Sequence, residues 1–426
     1  MENSQQTDYR QANYVLGILF VVMMLNFIDR QIIIIIAESI KRDMSLSDKQ
    51  IGLMTGLSFA ILYTTLSIPI AVLADRWNRS RIIAISVAVW SVMTVLSGLA
   101  ANFIQLLLAR VGVGIGEAGS SPASHSLIAD LFPPERRTVA LGILGMAVHV
   151  GAFMAYTGGG WMAEHIGWRM ALIVAGVPGI FLGLLIWFTA PDPRGKPSFR
   201  DAFKPRTGEV SLKEAITELS SKPSYWHLVA SGTIVAFIAY GMGSFYPGFL
   251  IRAHGIGYEE LGLKFGITTL IFGTLGSWVG GKTGTFLNTR ISGGSLLATA
   301  LIMLLTLPGV YSAMNVGNVN AAIAFLGIPT FAFAFIYSPT FSTVQLLASD
   351  RTRALAMAIW LFFSSLIGLG LGPVTVGALS DYFSAGLAND NGVGLGKAIA
   401  CTSVLSIWAA FHFWRAKVNF KNDVTN

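Results

Sequence analysis

Cysteine and charge are both scarce in this sequence. Its 426 residues include a single cysteine, Cys401, so no intrachain disulfide can form. Charged residues make up 12% of the chain, whereas a soluble domain carries about 25%. Metal ligands do not recur at ligand spacing, and no Ser/His/Asp set accompanies an oxyanion-hole motif. These absences argue against a disulfide-rich secreted domain, a metal site and a soluble or intramembrane enzyme, and we expect no cofactor.

What the chain has in abundance is apolar surface. Hydrophobic residues make up 53% of it, and the mean hydropathy is +0.63. A membrane-spanning helix needs about 20 apolar residues, and the sequence offers twelve such spans. With a cytoplasmic N-terminus, 20 basic residues fall on the cytoplasmic side and 7 on the outer side. We therefore predict an all-α integral membrane protein with both termini cytoplasmic, and its net charge of +7 requires no nucleic acid.

The two halves of the chain repeat at an offset of 217 residues. At this offset Ser121-Pro122 matches Ser338-Pro339, and Gly151 matches Gly368. The repeat predicts two pseudo-symmetric six-helix bundles, residues 1–190 and 225–426, joined by a cytoplasmic linker, residues 191–224. Within the linker, SLKEAITELSS has helical periodicity and begins with Ser211, a suitable N-cap. It predicts a short helix on the membrane surface, with a flexible linker as the alternative.

The loop after the second span reads AVLADRWNRSRII over residues 71–83. It resembles the signature loop of the major facilitator superfamily, a fold of two six-helix halves with a central site. The resemblance implies a gating role for Asp75, Arg76, Arg79 and Arg81, in which Asp75 pairs with neighbouring cations and latches the halves. Asn78 replaces a signature glycine, and we expect it to serve a turn with positive φ. The alternative to a gating role is that these charged residues form only a stop-transfer cluster at the end of the span.

Four ionisable residues lie inside predicted spans, where each costs about 2.5–3.5 kcal/mol or more. Asp29 and Arg30 are in the first span, and Arg110 and Glu117 are in the fourth. Asp29 and Arg110 are at similar depth, so they could pair if the two helices touch. An ionisable relay is one interpretation, and a structural ion pair with a solvated acid is the other. Glycines around Glu117 predict close helix packing, with a kink at Pro122.

The second half offers no matching charges. The offset takes the four ionisable positions to Tyr246, Pro247, Gly327 and Ala334. This predicts an asymmetric cavity, ionic on one wall and aromatic on the other, which suits an amphipathic solute. The candidate cavity residues are Asn26, His125, Tyr246, Phe335 and Tyr337. Packing or lipid contact is the alternative for each aromatic residue, and ordinary polar satisfaction is the alternative for His125.

Five stretches together resemble the Spinster family of the major facilitator superfamily, in a bacterial form. They are NFIDRQIIIIIAESI, DRWNRSR, RVGVGIGEAGSSPA, DLFPPERR and SFYPGFLIR. The resemblance implies proton-coupled transport of sphingolipids or lysophospholipids by alternating access. It assigns proton coupling to Asp29 and Glu117, with Arg30 and Arg110 as their charge partners.

Two other functions remain open. One is an organic-anion/proton symporter of the same superfamily, because the motif around Arg110 and Glu117 is shared with such proteins. The other is a lipid sensor that does not transport, although no long soluble domain supports it. For each we expect a monomer in the bacterial inner (plasma) membrane, with a small amphipathic or lipid partner, protons and membrane lipids.

Overall fold

The computed structural model describes residues 2–193 and 211–425. Much of the predicted linker, residues 194–210, therefore lies outside the described part of the chain. The described helices are α1 (Glu2–Ile35), α2 (Ala37–Met44), α3 (Asp48–Gly52), α4 (Ser58–Arg76), α5 (Arg79–Gly98), α6 (Phe103–Glu117), α7 (Ser120–Leu131), α8 (Pro134–His165), α9 (Gly167–Thr189), α10 (Leu212–Ser220), α11 (Pro223–Gly243), α12 (Tyr246–His254), α13 (Tyr258–Asn288), α14 (Gly294–Leu304), α15 (Thr306–Asn315), α16 (Val319–Leu347), α17 (Arg353–Phe363), α18 (Gly372–Ser384), α19 (Val393–Ser403) and α20 (Leu405–Thr425).

Two π-helical segments interrupt this all-helical pattern. Leu53–Leu57 follows α3, and Ser364–Leu371 connects α17 to α18. Ten helices or helix pairs of the described chain are long and apolar enough to cross a membrane. The other two of the twelve spans are α6 with α7, which a break after Glu117 divides, and α13, which is rich in glycine and threonine.

The chain forms two compact units. Within the described residues, unit 1 comprises residues 2–44 and 58–193, and unit 2 comprises residues 45–57 and 211–425. The N-terminal end of the second predicted span therefore belongs to unit 2, although the rest of that span belongs to unit 1. Chain order alone would assign the whole span to the first bundle.

Unit 1 is built around glycine-mediated helix contacts. In unit 1, α1 packs on α8, and α5 packs on both α6 and α9. Gly151 of α8 lies so close to α1 that an added Cβ would approach the Met24 carbonyl oxygen at 2.5 Å. Lipid offers no hydrophobic driving force between membrane helices, so they associate largely through close van der Waals packing. Small residues at the contact allow that close approach.

Unit 2 has the corresponding arrangement. Here α11 packs on α20 and on the π-helical segment Ser364–Leu371, and α13 packs on α16. Gly368 of that segment lies against Ala236 of α11, as its repeat partner Gly151 lies against α1. The repeat seen in the sequence thus marks equivalent helix contacts within each unit.

The short linker helix is present as α10. Ser211 is its N-cap, and Ser211 with Glu214 forms a complete capping box. Ala215 and Leu219 are buried, whereas Leu212 and Ile216 are exposed. Glu218 accepts hydrogen bonds from the backbone N–H of Ser349 and the hydroxyl of Thr352, so α10 is docked on the loop before α17.

Candidate functional site

Asp29 and Arg110 form a buried ion pair inside unit 1. Arg110 Nη1 lies 2.8 Å from Asp29 Oδ1, and the two side chains are 3% and 5% exposed. The second carboxylate oxygen of Asp29 accepts a hydrogen bond from the Thr94 hydroxyl of α5. Both oxygens of Asp29 are therefore satisfied, as burial of a carboxylate requires. The depth of the two residues in their spans correctly indicated that they could pair.

Arg30 and Glu117 form a second pair beside the first. Arg30 Nε donates to Glu117 Oε2 at 2.6 Å. The Glu117 side chain is fully buried, whereas that of Arg30 is 19% exposed. The Arg30 guanidinium also lies over the rings of Phe59 and Tyr63, at 4.8 Å and 4.6 Å from their centroids. These rings hold the cation in place without neutralising it.

One carboxylate oxygen of this cluster lacks a hydrogen bond within the described part of the chain. Among the described residues, none hydrogen bonds Glu117 Oε1. Arg110 Nε and Asn26 Nδ2 are likewise buried without a hydrogen bond. An unsatisfied carboxylate oxygen at such depth costs about 1–3 kcal/mol or more. Of the four carboxylate oxygens of Asp29 and Glu117, Glu117 Oε1 is the one whose hydrogen-bonding capacity is unmet among the described residues.

The glycines of α6 make this crowded site possible. An added Cβ on Gly114 would approach the Phe59 carbonyl oxygen at 2.6 Å, and one on Gly116 would approach the Trp90 nitrogen at 2.5 Å. The helix α6 therefore lies directly against α4 and α5. It ends at Glu117, and α7 starts at Ser120, so the expected kink near Pro122 is a complete helix break. The break leaves Glu117 at a helix end.

The predicted cavity residues lie in different surroundings. Asn26 is buried on the face of α1 that also carries Asp29. His125 is exposed, and its Nδ1 lies 2.8 Å from the Ser121 carbonyl oxygen, within its own helix. In unit 2, Tyr246 and Phe335 are buried, whereas Tyr337 is 42% exposed. Tyr246 has no hydrogen bond at its hydroxyl among the described residues.

The loop between α4 and α5 is organised by Arg79. This fully buried arginine lies 2.8 Å from Asp130 Oδ2 and 2.6 Å from Asp192 Oδ1. Both carboxylates belong to unit 1, so Arg79 joins the start of α5 to the end of α7 and to the segment that follows α9. The side chain of Asp75 lies outside the described part of the structure. Arg81 stacks on Trp187 at 5.2 Å.

The expectation for Asn78 was wrong. Its φ is −70°, so it does not replace glycine in a turn with positive φ. It is instead the N-cap of α5, where its side chain accepts a hydrogen bond from the backbone N–H of Arg81. Asparagine is among the best N-cap residues, because its short side chain reaches the unpaired N–H groups of the first turn. The sequence allowed either role.

Sequence reasoning missed three partners in unit 1. Thr94, Asp130 and Asp192 are separated from the residues they contact by 65, 51 and 113 positions. Threonine is an ordinary residue of membrane helices, so nothing in the sequence marks Thr94 as a partner of Asp29. Asp130 and Asp192 could have been noticed as acids next to basic loops, where an arginine such as Arg79 needs counter-ions.

The comparisons with known proteins agree with this architecture. Residues 19–373 match the family model of the Major Facilitator Superfamily. The chain is 31% identical to a protein of Mycolicibacterium smegmatis called "MFS-type efflux pump", over 97% of this chain and 95% of that protein. It is 28% identical to "Protein spinster homolog 1" of Xenopus tropicalis, over 89% and 75% of the two chains.

A solved structure is similar over almost the whole chain. It is the crystal structure of a bacterial homolog of the human lysosomal transporter Spinster, in an inward-facing and unoccupied conformation. The TM-score is 0.86 at 32% identity, and the match covers 97% of this chain and 98% of that one. The chain belongs to the Major Facilitator Superfamily as a bacterial Spinster-like transporter, an integral membrane protein and not an enzyme.

Proposed function

We propose that this transporter moves an amphipathic, lipid-like solute of the sphingolipid or lysophospholipid type and couples the movement to protons. The observation that carries the proposal is the double ion pair of unit 1, in which Glu117 is fully buried while Arg30 keeps 19% of its side chain exposed. Charges persist in membrane helices where they serve a wet pathway, an ion or a solute. Alternating access between the two sides of the membrane would carry the solute across.

The charges of the cluster balance when both acids are ionised. Asp29 and Glu117 then compensate Arg30 and Arg110. A proton on Glu117 would leave one net positive charge in the cluster and would weaken the attraction between Glu117 and Arg30. Because Arg30 is the exposed member, its guanidinium would become available to an anionic group such as a phosphate. Proton binding and headgroup binding are thereby linked at one pair of residues.

Glu117 is the better proton carrier of the two acids. Asp29 has hydrogen bonds to both carboxylate oxygens, from Arg110 and from Thr94. Glu117 has one bonded oxygen and one without a partner among the described residues. A proton on Glu117 therefore breaks fewer favourable contacts than a proton on Asp29. We assign coupling primarily to Glu117 and a positioning role to the Asp29–Arg110 pair.

The chemistry of unit 2 supports an apolar portion in the solute. The positions that match the four charges are uncharged. Aromatic side chains are close together there instead, with Phe331 and Phe335 at 6.2 Å and Phe341 and Trp360 at 5.0 Å between ring centroids. Phe335 and Trp360 are buried, whereas Phe331 and Phe341 are half-buried, so the latter two are the rings that could contact a hydrocarbon chain.

The test is uptake into proteoliposomes at several pH values, with lysophospholipids, sphingosine phosphate and small organic anions as separate probes. Glu117→Gln imitates the protonated acid, so we expect uptake to lose its dependence on a proton gradient while solute still binds. Asp43→Asn is the matched control, because Asp43 also pairs with an arginine in unit 1 but is 46% exposed. Wild-type proton dependence in Glu117→Gln would contradict the coupling proposal.

The same panel of probes distinguishes the proposed function from the organic-anion symporter and the lipid sensor. An exposed arginine can bind any anionic group, so Arg30 also suits a small organic anion. Uptake of organic anions with no uptake of lysolipids would favour the organic-anion/proton symporter. Saturable lipid binding with no uptake of any probe would favour the lipid sensor.

The proposal locates the protein in the bacterial inner membrane with both termini in the cytoplasm. The distribution of basic residues, 20 against 7, supports this orientation. Protease access to terminal tags in intact spheroplasts and in broken ones tests it.

A further inference from the structure

The Asp29–Arg110 pair has a third member, Thr94 of α5. Thr94 has no exposed surface, and its hydroxyl donates to Asp29 Oδ2, whereas Arg110 Nη1 lies 2.8 Å from Asp29 Oδ1. The two partners differ in kind. A guanidinium contributes a permanent positive charge, whereas a hydroxyl contributes a neutral dipole that can either donate or accept a hydrogen bond. Thr94 is therefore the partner of Asp29 that can respond to a change in the protonation of the acid.

The Thr94 hydroxyl has a second acceptor within its own helix. The Trp90 carbonyl oxygen, four residues earlier in the chain, lies 3.0 Å from Thr94 Oγ1. A threonine hydroxyl carries a single proton, so Asp29 and Trp90 compete for it. A hydrogen bond to an ionised group is about twice as strong as one between neutral groups. The hydroxyl proton is therefore directed to Asp29 while that acid is ionised.

Tight packing fixes the position of this turn of α5. Trp90 is 1% exposed, and a Cβ added to Gly116 would approach the Trp90 backbone nitrogen at 2.5 Å. Gly116 directly precedes Glu117. The turn that carries Thr94 thus contacts Asp29 and also lies against the residue next to Glu117. It is placed between the two acids of the cluster, and a protein interior packed in this way leaves a side chain little freedom to move.

The two acids differ in the contact that Thr94 supplies. Each acid pairs with one arginine, Asp29 with Arg110 and Glu117 with Arg30. The second oxygen of Asp29 accepts the Thr94 hydroxyl, whereas Glu117 Oε1 has no hydrogen bond among the described residues. Without that hydroxyl, Asp29 would have the same kind of surroundings as Glu117, with one arginine and one unbonded oxygen.

We propose that Thr94 is a positioning residue that keeps Asp29 ionised and thereby directs the coupled proton to Glu117. The inference rests on the proposed proton coupling, and it names the side chain that distinguishes the two acids. When Asp29 does take up a proton, the hydroxyl can turn towards the Trp90 carbonyl oxygen and accept a hydrogen bond from the new acid. That neutral bond is weaker than the one it replaces, so Thr94 favours the ionised form.

Other titratable groups near Asp29 are the same whether residue 94 carries a hydroxyl or not. Within two turns of Asp29, α1 itself carries Arg30, and α6 contributes Arg110 and Glu117. On the helices that pack against α1, the titratable side chains away from the helix ends are His125 of α7 and His149 and Tyr156 of α8. A change in the titration of Asp29 that depends on the hydroxyl of residue 94 therefore identifies the role of that hydroxyl.

The test is an infrared pH titration of the purified full-length protein in detergent, in which a protonated carboxyl gives a different band from a carboxylate. Every variant also carries Glu117→Gln, so that Asp29 is the remaining acid of the cluster, and adding Asp29→Asn identifies its band by loss. We expect the protonated band of Asp29 to appear about one pH unit higher in Thr94→Val, because a hydrogen bond to the ionised form is lost. Thr94→Ser keeps the hydroxyl and should titrate like the parent protein.

A matched control comes from unit 2. Thr299 of α14 also has no exposed surface, and its hydroxyl donates at 2.9 Å to the Ser295 carbonyl oxygen, four residues earlier. Thr299→Val therefore removes the same kind of buried hydroxyl without touching the cluster, and it should leave the Asp29 band unchanged. The melting temperatures of both valine variants record any loss of stability separately from the titration.

The proposal is overturned if the Asp29 band in Thr94→Val has the midpoint of the parent protein, or is absent at every pH at which the protein stays folded. An equal shift in Thr94→Ser or Thr299→Val also overturns it, because the shift would then not depend on the hydroxyl. The proposed function has a separate outcome, since it depends on uptake by Glu117→Gln with the natural Thr94. Proton-dependent uptake in that variant removes the coupling whatever the titration shows.

Discussion

The two repeats share a scaffold and differ in chemistry. Gly151 and Gly368 make equivalent close contacts with the first spanning helix of each repeat, α1 and α11. At the positions where unit 1 has Asp29 and Glu117, unit 2 has Tyr246 and Ala334. The packing positions have thus kept small residues, whereas the polar positions have diverged. Helix packing constrains shape on both sides of the repeat, but a charged site is needed only once.

The same comparison separates stability from function. In unit 1 the charges must be paired to be tolerated in the membrane interior, so each residue contributes to folding and to the proposed transport. In unit 2 the Tyr246 hydroxyl is buried without a hydrogen bond among the described residues, and it is not part of any ion pair. Substitutions at matched positions should therefore have very different effects.

The largest effect is expected from Arg110→Ala. It leaves Asp29 as an uncompensated buried carboxylate, so we expect a loss of about 3–5 kcal/mol in the free energy of unfolding. The comparison in unit 2 is Tyr246→Phe, at the position that matches Asp29, the partner of Arg110. It removes a hydroxyl that has no hydrogen bond among the described residues, so it should be neutral or stabilising by up to about 1 kcal/mol. Chemical denaturation of both purified proteins in detergent measures this. Similar losses in both would mean that the repeats do not differ as argued.

The Asp29–Arg110 pair was predictable from the depth of the two residues in their spans. Residue positions along two antiparallel spans give the depth of each side chain, so a buried acid and a buried base at equal depth are expected to meet. The pairing of Arg30 specifically with Glu117 was less accessible, because it depends on the rotation of two helices. The break between Glu117 and Ser120 also changes local geometry in a way that Pro122 only suggested.

Other features were beyond sequence reasoning for a physical reason. The assignment of residues 45–57 to unit 2 depends on contacts with Arg252 and Asp381, which are more than 200 positions away. Asn78 was misjudged because asparagine suits both a turn with positive φ and an N-cap, and only the backbone angle separates them. Local sequence limits the options in such cases, and tertiary contacts select among them.

An intermediate effect is expected from Gly151→Ala, which tests the shared scaffold. The new methyl group would lie 2.5 Å from the Met24 carbonyl oxygen and 3.0 Å from Phe27 Cβ, so α1 and α8 must separate. We expect a loss of about 1–3 kcal/mol. Gly142 lies on the same helix with nothing within 4 Å of an added Cβ, so Gly142→Ala should gain up to about 1 kcal/mol from helix propensity. Thermal unfolding of the two variants tests this expectation. Equal shifts of the melting temperature in both variants would refute the packing argument.

The smallest effect concerns the linker helix α10. This helix lies outside the repeated spans and contacts the loop before α17 in unit 2. Burial alone would raise the pKa of Glu218, but the hydrogen bonds from Ser349 and Thr352 outweigh it and hold the pKa below its ordinary value of 4.5. A lowered pKa means that the ionised carboxylate stabilises docking. That contribution is complete above the ordinary pKa and is lost as the pH falls through the lowered one.

Glu218→Gln should therefore loosen α10 by about threefold in amide exchange at neutral pH, since exposed contacts of this kind are weak. It should also remove the difference between neutral and acidic conditions, after correction for intrinsic exchange. Glu214→Gln is the matched control, because Glu214 lies on the same helix and glutamine preserves its capping box with Ser211. If Glu218→Gln keeps the acid dependence of the parent protein, another group controls the docking of α10. Hydrogen–deuterium exchange of residues 212–220 in the three proteins separates these outcomes.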